Sequence, residues 1–141
     1  MKILLALDGS QASTRALTSL IEHVKWFRDP PHVHLLFVHL PIPIAFATRH
    51  VSQEIVDGYY RDEGEAVLAP ARERLMAAGI GCTSHLHVGE PAEIIVKVAR
   101  ELDCELISMG THGRGAFANA VVGSVASKVL HLSDRPVLFG R

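Results

Sequence analysis

An excess of charge of either sign is what this chain most clearly lacks. Lysine and arginine number 14, aspartate and glutamate 15, for a net charge of −1. So balanced a chain has no broad basic footprint, and no nucleic-acid partner is expected. Long apolar runs are missing too. The apolar start, Met1–Leu7, is too short for a signal peptide and stops at Asp8. Nothing approaches the ~18 apolar residues of a membrane span. The expectation is a cytoplasmic protein with no membrane insertion. Cysteine is scarce: Cys82 and Cys104 form no motif, and both are expected to be reduced and buried. Repeats, linkers and low-complexity segments are absent as well.

What is present is an ordinary globular balance, 48% hydrophobic and 21% charged over 141 residues. That suits a single domain, 1–141, with one core. Short apolar runs alternate with helical patterns throughout. Ile3–Leu7, His32–Leu40, Cys82–Val88, Glu105–Met109 and Val137–Phe139 read as strands. Between them, Ser10–Phe27 carries apolar residues at helical spacing, with Ser10 or Ser13 as its cap. A second helix runs from about Gln53 to Ala78, with Gly79 beyond its end and with Gly64 and Pro70 as interruptions. Pro91 opens a third helix, and Ser124–Leu132 is the last. The order βαβαβαβαβ predicts an α/β fold, a parallel sheet covered on both faces. Ligands of such sheets sit at the carboxyl ends of the strands. Asp8, Val38 with His39, and Gly110 all fall there.

The stretch Met109–Val125 holds most of the chemistry. Glycines stand at 110, 113, 115 and 123, with Ser124 after the last. They lie between a strand and a helix, where free N–H groups and the helix dipole favour an anion. Phosphate oxygens would accept from Gly113, Gly123 and Ser124, with the Ser124 hydroxyl at the N-cap. Arg114 and His112 stand inside the loop, and guanidinium pairs well with phosphate. The opposing interpretation is a loop whose glycines serve turn geometry only. Gly110 and Gly115 have the Walker spacing, but Ala116-Phe117 replaces the required Lys-Ser or Lys-Thr. Gly113–Ala118 matches the dinucleotide fingerprint, yet Asp134 falls in a turn rather than at the end of a following strand.

Other candidates are open. Asp8 suits a ribose hydroxyl, a metal-bound water, a phosphoryl group, or simply the cap of the first helix. His32 with His34, and His85 with His87, share strand faces. Two such pairs fall short of a zinc shell, so polar ends of half-buried strands are the better reading. No nucleophile elbow G-x-S-x-G is present.

The spacing Gly110-x2-Gly113-x9-Gly123-Ser124 resembles the nucleotide-binding signature of the universal stress protein family. The start Ile3–Ser10, the turn Val88–Pro91 with Ile94-Ile95, and the closing Pro136–Leu138 are similar to that family's other motifs, in the same order. The resemblance implies an open five-stranded parallel sheet with helices on both faces, adenine nucleotide alpha hydrolase-like, in strand order 3-2-1-4-5. It further implies an ATP-binding member, with Mg²⁺ or Mn²⁺ accompanying the triphosphate. Carried over by position, Asp8 would meet the ribose and Val38 the adenine. Met109 and Gly110 would line the nucleoside, and Gly113, Gly123, Ser124 and Val125 would hold the phosphates. A homodimer through the C-terminal strand and an unidentified regulatory partner are implied as well. The expected role is nucleotide-dependent regulation rather than catalysis. The alternatives are a slow ATPase or nucleotidyl-transfer enzyme using Asp8 and the metal, and a nucleotide-free dimeric scaffold. The Pro-rich segment Pro41–His50 is left without an assigned role.

Overall fold

The computed structural model describes residues 1–43, 51–113 and 122–140. Five parallel strands form one sheet: β1 (Lys2–Leu7), β2 (His32–His39), β3 (Cys82–Val88), β4 (Leu106–Gly110) and β5 (Val137–Gly140), in the order β3-β2-β1-β4-β5. β1 is central, which is why five of its six residues are buried apolar ones. Its alternation divides them between the faces. Ile3, Leu5 and Leu7 join Val33, Leu35 and Phe37 beneath α1 (Gln11–Glu22) and α2 (Gln53–Ala77). Leu4 and Ala6 join Leu36, Ile107 and Met109 beneath α3 (Pro91–Glu101) and α4 (Ser124–Leu132). The fold class, strand order and two-faced cover expected from the sequence are all present.

Element ends differ in instructive ways. α1 stops at Glu22, and a 3-10 turn, Val24–Trp26, takes the place of its expected last turn. Ser10 is its cap, accepting from Ser13 N–H at 3.1 Å. α2 is continuous through Gly64 and Pro70. Gly64 lies against Leu86 of β3, where its missing side chain lets the helix sit close. β4 extends one residue beyond expectation, into Gly110. That glycine serves packing: a Cβ there would stand 2.6 Å from the carbonyl carbon of Ala12. A Cβ on Gly140 of β5 would overlap the Ala16 backbone in the same way. The two glycines let α1 lie directly over the carboxyl ends of β4 and β5. Strand order reverses between β1 and β4, which places the topological switch point beside Asp8.

Candidate functional site

A cavity of about 420 Å³ opens at that switch point, within the range of small-molecule sites. It is lined from β1 by Asp8, from β2 by Val38, from β4 by Met109 and Gly110, and from the loop by Gly113. Gly123, Ser124 and Val125 close it from α4. Every described residue that the sequence singled out for nucleotide contact therefore meets in one space. Arg114 lies outside the described residues, as does most of the segment Pro41–His50.

The loop is organised differently from the sequence expectation in one respect. Gly123, not Ser124, is the N-cap of α4, and Ser124 is the first helical residue. A glycine cap has no side chain to accept the first N–H groups of the helix. The Gly123 N–H itself is engaged, donating to the Thr111 carbonyl at 2.7 Å. The donors left without an acceptor inside the helix belong to Ser124, Val125 and Ala126, all of which line the cavity. They carry the positive end of the helix dipole. Gly123 contributes room rather than a donor. A Cβ there would press on the Thr111 carbonyl and the His112 Cα, each at 3.2 Å. The two ends of the glycine loop thus touch, held by one backbone hydrogen bond.

Asp8 caps nothing by itself, but it braces the turn into α1. Its Oδ1 accepts from Ser10 N–H at 2.9 Å. Oδ2 makes no hydrogen bond among the described residues and lies 2.9 Å from where a Cβ on Gly113 would stand. A larger residue at 113 would cover this oxygen. With glycine there, it is an acceptor facing the cavity, suited to a hydroxyl.

At the exit of β2, sequence reasoning placed Val38 and His39 at the ligand edge but missed Leu40 and Glu63. His39, Leu40 and Glu63 line the cavity there, with Pro91 and Ile95 across from them. His39 Nε2 stands 3.8 Å from Glu63 Oε2. Glu63 gives no local signal in the sequence. It arrives only because α2 packs beside β2 and β3.

The histidines of β2 and β3 do share a face, and they pair with each other. His34 Nδ1 lies 3.0 Å from His85 Nε2, and His32 Nε2 lies 2.9 Å from the Thr83 hydroxyl. Burial, then the neighbouring His85, His32 and Lys2, lowers the pKa of His34. Burial, then His87 and His32, lowers that of His85. No group of three His, Cys, Asp or Glu side chains able to hold a metal occurs among the described residues. Cys104 is buried and Cys82 half-buried, both unpaired, and burial raises both thiol pKa values. No described helix is long and apolar enough to cross a membrane.

A parallel sheet in this order, with a glycine seam and a carboxylate at its switch point, belongs to the doubly wound α/β proteins that bind ligands at their strand ends. The chain belongs to the universal stress protein family, whose model matches residues 1–141. The universal stress protein YxiE of Bacillus subtilis is 29% identical over an alignment that covers 99% of this chain and 98% of that protein. The solved structure of MJ0577, a universal stress protein of Methanocaldococcus jannaschii, superposes with a TM-score of 0.84 at 26% identity, covering 97% and 92% of the two chains. A universal stress protein solved in complex with cAMP shares the fold, with a TM-score of 0.68 at 22% identity and coverage of 98% and 94%.

Proposed function

We propose that this protein binds an adenine nucleotide, ATP foremost, across the carboxyl edge of the sheet and acts as a nucleotide-dependent regulator read by a protein partner. One observation carries the proposal. The side-chain-free cap of α4 leaves the N–H groups of Ser124, Val125 and Ala126 without an acceptor in the helix, and these residues line a cavity that also holds Asp8 with its open Oδ2. Phosphate oxygens suit the first and a ribose hydroxyl suits the second. The apolar end at Val38 and Ile95 suits a base. The family member solved with cAMP holds an adenine nucleotide on the same fold.

The described residues supply no metal shell of their own. Mg²⁺ or Mn²⁺ would enter with the triphosphate, on phosphate oxygens and water. The cavity wall offers backbone donors that bind phosphate in its ground state, so hydrolysis is at most slow. β5 is an edge strand, paired on one side only among the described residues. Its pairing with a second copy would form the homodimer and cover that edge. Calorimetry with ATP and Mg²⁺ is the test, alongside native mass spectrometry of the purified protein. Saturable binding with turnover below about 1 s⁻¹ is expected, since that rate marks the low end of typical enzymes. Absence of binding at millimolar ATP overturns the proposal, and faster turnover replaces the regulator with an enzyme.

A further inference from the structure

We infer that Glu63 selects the base by accepting a hydrogen bond from its exocyclic amine. The inference rests on the nucleotide reading above. The cavity runs from the first turn of α4, past Asp8, to the exit of β2. Phosphates on α4 and a ribose at Asp8 leave the β2 exit for the base. Most of that end is apolar: Leu36, Val38, Pro91 and Ile95 form a slot for a flat ring. Two polar side chains face it, His39 and Glu63.

His39 is fixed in place, and α2 brings Glu63 beside it. His39 Nδ1 lies 2.6 Å from the Leu40 carbonyl, so this nitrogen carries a hydrogen and donates it. Its ring stands edge-on to Tyr60 with centroids 4.7 Å apart. The Tyr60 hydroxyl accepts from Ile42 N–H at 2.9 Å, which ties the chain leaving β2 to α2. Glu63 follows Tyr60 by three residues, one turn along the same helix face. Its Oε2 is 3.8 Å from His39 Nε2, and its Oε1 has no hydrogen-bond partner among the described residues. A carboxylate accepts and does not donate. An amine placed against it gains a charge-assisted bond, whereas a ring lacking the amine leaves the carboxylate facing carbon.

The test compares AMP with purine riboside 5′-monophosphate, which differs from AMP only by lacking the 6-amino group. The wild-type protein should bind AMP at least about tenfold more tightly, the lower range for a hydrogen bond to a charged group. Glu63→Leu should bring the two affinities within about twofold of each other by weakening AMP alone. Glu63→Gln, which keeps a neutral acceptor, should fall between. Both variants change a partly exposed position on α2, and circular dichroism should show an unaltered fold. If both ligands bind and the preference survives in Glu63→Leu, or never existed, the inference fails while the nucleotide reading stands. If the wild type binds neither ligand and no ATP, both fall together; if it binds ATP alone, the same comparison between ATP and purine riboside 5′-triphosphate decides the inference.

Discussion

The two ends of the cavity are built by opposite means. At the β4–α4 end, side chains have been removed. Gly113 and Gly123 clear the space, and backbone N–H groups of α4 form the wall. At the β2–α2 end, side chains form the wall: His39, bonded to the Leu40 carbonyl, with Glu63 3.8 Å from its ring. A backbone site accepts any phosphate and carries little discrimination, because every residue has the same N–H. A side-chain site discriminates and can be altered one residue at a time. Under the proposed function, the first end would govern whether a nucleotide binds, and the second which base it carries.

The largest effect expected comes from attacking the backbone end where it joins the fold. Gly110→Val forces a Cβ to within 2.6 Å of the Ala12 carbonyl carbon. It should destabilise the protein by more than about 3 kcal/mol, the upper range for overpacking. Leu40→Ala at the other end, an exposed position, should stay within about 0.5 kcal/mol. Urea unfolding of both variants measures the contrast, and equal losses would remove the asymmetry between the ends. Next in size is Gly123→Val. Its side chain would press on Thr111 and His112 and displace the first turn of α4 from the phosphates. Affinity for AMP should fall about a hundredfold, the loss of two charge-assisted bonds. The preference of AMP over purine riboside 5′-monophosphate should persist in the binding that remains, because the base end is untouched. Loss of that preference would show that the ends are not independent.

The smallest effect lies outside both ends and serves as their control. His34 and His85 are held below the ordinary histidine value of 6.5, chiefly by burial and then by neighbouring charges. The unfolded chain takes up protons near 6.5, where these two folded rings remain neutral. Their contribution to stability is thus complete above 6.5 and is lost as pH falls below it. The melting temperature should drop as the pH is lowered from about 7.5 to about 5.5, and a His34→Gln, His85→Gln variant should flatten that slope. The AMP preference should not follow these two substitutions, since neither residue lines the cavity.

The backbone end is legible in the sequence, and the side-chain end only as far as Val38 and His39. Glycine spacing is a local record of where backbone must come close, so Gly110, Gly113 and Gly123 mark the seam by their positions in the chain alone. The strand at Ile3–Leu7 is equally plain, because a central strand buries both faces and leaves no polar residue to mislead. The sequence blurs what long-range contacts decide. Ser124 has the chemistry of an N-cap, yet the cap is Gly123, its N–H bound to Thr111, and Ser124 is the first helical residue. Gly64 and Pro70 look like breaks, yet packing of α2 over β2 and β3 carries the helix through both. Val24 fits the apolar stripe of α1, but the chain tightens into a 3-10 turn there. Glu63 reaches the cavity only through the docking of α2 beside β2, which no nearby residue announces.

The hydrogen bond from Gly123 N–H to the Thr111 carbonyl has one more consequence. It ends an excursion of the chain where that excursion began, 2.7 Å away. So short a separation fixes Thr111 and Gly123 against each other whatever number of residues joins them in the sequence. Doubling the length of a loop closed at both ends adds only about 0.6 kcal/mol of closure cost. A sequence lengthened between Gly113 and Val122 should therefore keep the positions of Gly113 and the first turn of α4, with little change in melting temperature.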